Sequence, residues 1–174
     1  MRTYFMTTAR LGFSVWEEED LPLALELWGD PEVTRYISAN GYFSEEEISS
    51  RLQNEIRNEE LFRVQYWPIF NMETAEHVGC CGLRPYDLDK KVYELGFHLR
   101  REHWGCGFGK EAAVAVINYA FDRLQASKLF AGHNPHNAVS GQLLTKLGFR
   151  YTHDEYYAPT GLNHPSYEFL REPC

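Results

Sequence analysis

The spacing of apolar residues switches between two periods along the chain, and the switches divide it into elements. Residues 10–16, Arg-Leu-Gly-Phe-Ser-Val-Trp, read as a first strand, followed by the acidic run Glu17 to Asp20. Asp20 is placed to cap a helix that carries Leu21, Leu25 and Trp28 on one side and ends near Gly29-Asp30-Pro31. Ser44-Glu45-Glu46-Glu47 has the form of a capping box, in which the serine and the glutamate three residues on satisfy free amides at a helix start. That helix is expected to run to about Glu60, with Ile48, Leu52 and Ile56 as its apolar stripe. The period then drops to that of strands. Leu61–Phe70, His77–Leu83 and Lys91–Leu99 are rich in β-branched and aromatic residues, and turn signals at Asn71 to Ala75 and Arg84 to Lys90 separate them. An antiparallel meander follows.

Helical spacing returns from Gly109 to Leu124 through Ala113, Val116, Ile117, Ala120 and Phe121. Lys128 to His133 reads as a strand, and Asn137 to Leu147 as a helix stopped by Gly148. Phe149–Tyr157 and Ser166–Leu170 suit a final hairpin. The order is a strand, two helices, three strands, a helix, a strand, a helix and two strands. That is an α/β (α+β) fold, a mixed sheet with helices on its faces.

Composition narrows the class. The 174 residues are 44% hydrophobic and 15% aromatic, enough for a sizeable core without metals or disulfides. No repeat or linker divides the chain, so residues 1–174 are expected to form one domain. The net charge of −8 argues against a nucleic-acid partner, which calls for a basic face. An acidic surface does tolerate cationic partners, amines among them. Cys80 and Cys81 are adjacent, Cys106 lies between glycines and Cys174 ends the chain, so neither a disulfide framework nor a metal knuckle is spelled out. Free thiols suit a reducing compartment. The start Met1-Arg2-Thr3-Tyr4-Phe5 lacks the apolar run of a signal peptide, and no stretch reaches the roughly 18 apolar residues of a membrane span. The expectation is a cytoplasmic protein with no membrane partner, and a homodimer is compatible with it.

The chemistry concentrates in residues 99–112, which join a strand to an amphipathic helix. Gly105, Gly107 and Gly109 at alternate positions let backbone approach a ligand closely, and the helix start behind them offers free amides and a positive dipole end. Lys110 adds a mobile positive charge, so a polyphosphate fits. A dinucleotide fingerprint would need glycine where Lys110 stands; a P-loop fails at Trp104 and at Glu111. A glycine-rich turn without a ligand is the plainer alternative.

Trp104-Gly105-Cys106-Gly107-Phe108-Gly109-Lys110-Glu111-Ala112 resembles the acetyl-CoA loop of the GNAT N-acetyltransferases, in particular their ribosomal-protein-alanine (RimJ/RimL-like) branch. Residues 30–36 look like the segment after that family's first helix, and residues 78–83 like its third strand. Glu94-Leu95-Gly96-Phe97-His98-Leu99 is similar to its fourth strand, and Asn137-Ala138-Val139-Ser140 with Lys146-Leu147-Gly148-Phe149 to its second cofactor motif. The resemblance covers residues 7–171. Glu102 stands where the family often has Gln or Arg, and Arg101 where proline is usual.

The resemblance implies a mostly antiparallel central sheet of about six to seven strands with helices on both faces. It implies a cleft where the fourth and fifth strands splay, with amides from Phe97 to Leu99 pairing with the pantetheine arm and polarising the thioester carbonyl. Acetyl-CoA is then the co-substrate, with no metal. Residues 104–110 and Asn137 would hold it, and Ser140 and Lys146 would reach it from the second helix. Locally, Asn137 also suits a helix cap, Ser140 a surface hydroxyl and Lys146 a solvated charge.

The implied acceptor is a primary amine, on a small molecule or on a peptide or protein, and a base must take its proton before attack. Glu94 is the first candidate; His98 shares its face unless a bulge at Gly96 intervenes, and His133 is another option because imidazole as a class suits proton transfer near working pH. The tyrosine that many such enzymes use to protonate the leaving thiolate is Leu144 here, leaving Tyr151, Tyr156, Tyr157 or water. Cys106 lies among the phosphate-facing glycines, so direct transfer in a ternary complex is expected rather than a covalent intermediate. Trp28, Tyr36, Tyr42, Phe43, Tyr156 and Tyr157 are candidate walls of the acceptor cleft. Two other readings are a non-catalytic acyl-CoA-binding or sensing module and a metal-dependent hydrolase using His133, His136, His153 and His164. Pro135 spoils helical ligand spacing for the second.

Overall fold

The computed structural model describes residues 1–172; Cys174 and the end of the expected domain lie outside them. Its strands are β1 (Met6–Thr7), β2 (Leu11–Phe13), β3 (Tyr66–Asn71), β4 (His77–Asp87), β5 (Val92–Leu99), β6 (Lys128–Gly132), β7 (Arg150–Tyr157) and β8 (Leu162–Phe169). Its helices are α1 (Leu21–Trp28), α2 (Pro31–Thr34), α3 (Glu45–Phe62), α4 (Phe108–Asp122) and α5 (Ala138–Leu147). The strands form one sheet in the order β1-β2-β3-β4-β5-β6-β8-β7. Every pairing is antiparallel except β5 with β6. The family's fourth and fifth strands are β5 and β6.

The sheet has one strand more than the upper expectation, because two-residue β1 carries too little pattern to be read as a strand. Leu61 and Phe62, expected in a strand, continue α3, and the positive φ of 60° at Arg63 stops that helix. β4 runs on to Asp87 through a segment rich in turn residues, held by β5 across it. β8 starts at Leu162 rather than Ser166, because Asn163 to Pro165 pair with β7 despite their turn-like composition.

Strand alternation sends side chains to two cores. On one face Cys81, Leu83, Tyr93 and Leu95 pack with Phe108, Ala112, Ala113, Val116, Ile117 and Ala120 of α4. On the other, Tyr66 and Cys80 pack with Ala24, Leu27 and Trp28 of α1 and Ile48 and Leu52 of α3. The site lies between these layers.

Candidate active site

At the loop, Gly105 and Gly107 take positive φ values of 72° and 82°, where other residues are strained. Gly107 is the N-cap of α4, and no side chain caps that helix. The peptide N–H groups of Gly105 to Lys110 enter no hydrogen bond among the described residues; the first amide used is that of Glu111, donating to the Gly107 carbonyl at 3.1 Å. Those free donors, with the dipole of a 15-residue helix behind them, form an anion cradle. Phe108 and Gly109 are buried and add only backbone, whereas Cys106 and Lys110 are exposed. Trp104 braces the loop, its indole N–H donating to the Leu99 carbonyl at 2.9 Å.

Arg10 braces the loop from β2's side. Its Nη1 donates to the Cys106 carbonyl at 3.0 Å, its guanidinium lies 4.3 Å over the Phe108 ring, and it pairs with Glu111 at 2.7 Å. Burial alone would raise the Glu111 carboxyl, but hydrogen bonds from Thr8 and Arg10 outweigh it and hold the group below the usual range. Arg101 and Glu102 are anchored too, to Asp30 at 3.4 Å and Arg100 at 2.7 Å.

The parallel ladder between β5 and β6 stops at Glu94 opposite Phe130. The Arg100 amide donates to the Val78 carbonyl and the Leu83 amide to the Gln65 carbonyl, so even-numbered residues of β5 point their peptide groups at β4. The odd ones face away. Beyond Glu94, the Phe97 and Leu99 N–H groups therefore face the widening gap between β5 and β6.

Glu94 stands at that last rung, on the α1–α3 side of the sheet. β5 has no bulge at Gly96, so Glu94, Gly96 and His98 share this face. The glycine instead permits close approach: a Cβ there would lie 2.2 Å from Cζ of Tyr66. The Tyr66 ring covers Gly96, and its hydroxyl donates to Glu94 Oε1 at 3.4 Å. Arg84, opposite Glu94 in β4, stacks 4.0 Å over the Tyr66 ring and pairs with buried Glu55 at 2.6 Å. Burial raises the Glu94 carboxyl above its ordinary value against the opposing pull of Arg84 and of the Tyr66 bond.

The sequence profile of the acetyltransferase (GNAT) domain matches residues 10–150. The chain belongs to the GNAT acetyltransferase family. It is 32% identical over 145 residues to a Bacillus licheniformis protein named "Uncharacterized N-acetyltransferase p20", covering 82% of this chain and 80% of that one. Its fold matches a GNAT-family acetyltransferase from Bacillus anthracis at a TM-score of 0.81 and 22% identity, covering 95% and 97% of the two chains. It matches a RimL ribosomal-protein alpha-N-acetyltransferase in complex with coenzyme A at 0.81 and 15%, covering 97% and 98%.

In this acetyltransferase the other expected residues lie as follows. His98 accepts at Nδ1 from the Trp28 indole N–H at 3.1 Å. Burial, then the charges of Arg51 and Arg84, pushes its imidazole well below the ordinary value, so it is neutral and its acceptor nitrogen is occupied. His133 follows directly on β6; Nδ1 meets the Asn134 carbonyl at 2.7 Å, which leaves Nε2 to accept from the Tyr167 hydroxyl at 3.2 Å. Asn137 caps α5, its Oδ1 accepting from the Ser140 amide at 3.3 Å and its Nδ2 donating to Ser140 Oγ at 3.0 Å. Lys146 lies in the last turn of that helix and makes no ion pair among the described residues.

Leu144 is buried in the α4-side core. Tyr42, Tyr156 and Tyr157 are exposed, whereas Trp28 is fully buried. No group of three or more His, Cys, Asp or Glu among the described residues is arranged to hold a metal. The sequence reading missed Tyr66, Arg84, Arg51, Arg10 and Tyr167. The one signal for the first was Gly96: an isolated strand glycine marks either a bulge or a close neighbour, and here it is the neighbour.

Proposed function

We propose that this acetyltransferase moves acetyl from acetyl-CoA to a primary amine by direct attack in a ternary complex, with Glu94 taking the amine proton. The observation that carries the reading is the position of Glu94: a carboxylate with raised proton affinity at the rung where β5 and β6 part. Bound acetyl-CoA supplies the activated thioester. The amides of Gly105 to Lys110, with Lys110 beside them, suit its pyrophosphate, and Trp104 fixes the loop's approach. The N–H groups of Phe97 and Leu99 suit the pantetheine arm and the thioester carbonyl. Asn137 and Ser140 set the start of α5 on the far side of the gap, and Lys146, which makes no ion pair among the described residues, lies on the same helix.

Glu94 is favoured over the two histidines as base. His98 spends its acceptor nitrogen on Trp28, and His133 spends its own on Tyr167. Direct attack is favoured over a Cys106 acyl-enzyme because Cys106 sits in the anion cradle. A protein N-terminus and a small-molecule amine both satisfy this chemistry. A cytoplasmic location suits Cys80, Cys81 and Cys106, which are free thiols.

The buried Leu144 in the acid's usual slot favours a second reading, a non-catalytic acyl-CoA sensor. Release of free CoA thiol on mixing acetyl-CoA with a panel of peptides, amino acids and polyamines decides between them. The expected result is thiol release that depends on one class of amine, with a matching acetylated product. Tight acetyl-CoA binding without thiol release for any amine would overturn the catalytic reading.

A further inference from the structure

Resting on that reading of Glu94, the geometry points to an acceptor whose amine lies close to a carboxylate, which Arg51, Arg57 and Arg84 bind in a groove along α3. The groove has a volume of about 920 Å³, and its lining includes Phe43, Ser50, Asn54 and these three arginines. It lies against the α1–α3 side of the sheet, away from α4 and the glycine loop. Arg84 joins it to the reaction centre, because the guanidinium that lines the groove also stacks on Tyr66, whose hydroxyl reaches Glu94.

Arg51 is the telling residue. Its guanidinium lies over the Trp28 and Phe43 rings at 5.1 and 5.5 Å, which holds the plane and leaves the donor edges free. Its Nε is buried without a hydrogen-bond partner, and no carboxylate within the described residues pairs with it. Burial first, and then the neighbouring Arg84, lower its proton affinity against the opposing pull of Glu55, which is itself paired with Arg84. Arg57 also makes no ion pair among the described residues. A planar guanidinium fork with unfilled donors matches a carboxylate in two-point geometry. Glu46 and Glu47 also line the groove; Glu47, one turn before Arg51 on the same helix face, is engaged with the Ser44 amide at 2.7 Å. In a chain of net charge −8, this groove holds three arginines against two glutamates.

Steady-state kinetics with two matched acceptor pairs test this. L-glutamine against L-glutamine amide reads an α-carboxylate; the glutamyl-glycine amide peptide against its glutaminyl counterpart reads a side-chain carboxylate on a first residue. The expected result is a kcat/KM preference of about tenfold or more for the carboxylate in one pair, shrinking toward one in Arg51→Gln and in Arg57→Gln. The responding pair says whether a free amino acid or an acidic peptide N-terminus is the source. A difference under about twofold in both pairs for the unmodified protein, or a preference that survives both substitutions, would overturn the proposal. Arg57 is exposed, so its variant reports even if Arg51→Gln does not fold.

Calorimetric titration of glutarate into the coenzyme A-loaded protein separates this idea from the catalytic one. Glutarate binding weakened by Arg57→Gln supports the groove even if no amine is acetylated, and no glutarate binding sinks it. If the two substitutions weaken binding of coenzyme A but not of dephospho-coenzyme A, the arginines read the cofactor's phosphate and the proposal fails.

Discussion

At the start of α3 the chain satisfies its own backbone: Ser44 Oγ accepts from the Glu47 amide at 3.1 Å, and Glu47 accepts from the Ser44 amide at 2.7 Å. At the start of α4 nothing among the described residues does so, and the amides of Gly105 to Lys110 have no partner there. The contrast extends from the two helix starts to the two sides of the sheet. On the α4 side the groups proposed to bind the cofactor are peptide N–H donors, and side chains such as Arg10 and Trp104 brace them. On the α3 side the backbone is closed and the polar groups are side chains: Glu94, Tyr66, Arg84, Glu55 and Arg51. A backbone cradle recognises what phosphates share. A side-chain cluster can discriminate among acceptors, and it can move a proton.

Three substitutions test that division. Glu94→Gln is expected to have the largest effect, lowering kcat by roughly a hundred- to ten-thousandfold while leaving acetyl-CoA affinity unchanged. In the unmodified enzyme the acid limb of kcat/KM should fall above the ordinary carboxylate range, because the Glu94 carboxyl is raised. The sign for stability follows from the same shift. A carboxyl that binds its proton more tightly when folded costs stability once the pH exceeds its folded value, so Glu94→Gln should melt no lower than the parent at neutral pH. A clear loss of melting temperature would mean that the carboxylate serves chiefly to anchor Arg84.

Gly107→Asp is next. It gives α4 a carboxylate at its N-cap, where φ is 82°, and so closes the cradle much as Ser44 closes α3. Acetyl-CoA affinity should fall by about a hundredfold or more, since the amides are filled and the phosphates repelled. Binding by Gly107→Asp equal to that of the parent would show that the cradle lies elsewhere. Cys106→Ser should change least, within about twofold in both affinity and kcat, because only the peptide at that position is used. A large loss of kcat with affinity intact would point to a covalent role for the thiol and break the distinction drawn here.

The two sides were also unequally legible. Glycines at alternate positions before an amphipathic helix state a local conformation, and local conformation is what periodicity and turn chemistry encode. So the loop, the capping box at Ser44 and the stop at Gly148 are readable in the sequence and stand in the fold. Glu94 and His98 sharing a face is likewise a matter of strand alternation, once Gly96 proves not to be a bulge. The partners of Glu94 are another matter. Tyr66 and Arg84 lie 28 and 10 residues before it, and Glu55 lies 29 before Arg84, with no motif relating them.

By itself, then, the sequence determined the elements, the cradle and the family resemblance, because each is written in residues within a turn or two of one another. Only the tertiary structure decided what surrounds Glu94. It gave His98 Nδ1 to the Trp28 indole N–H, and it set Arg51 and Arg57, which make no ion pair among the described residues, along one groove with Arg84. The physical reason is that burial and charge pairing depend on which strands and helices lie side by side, and that neighbourhood is fixed by sheet order and register.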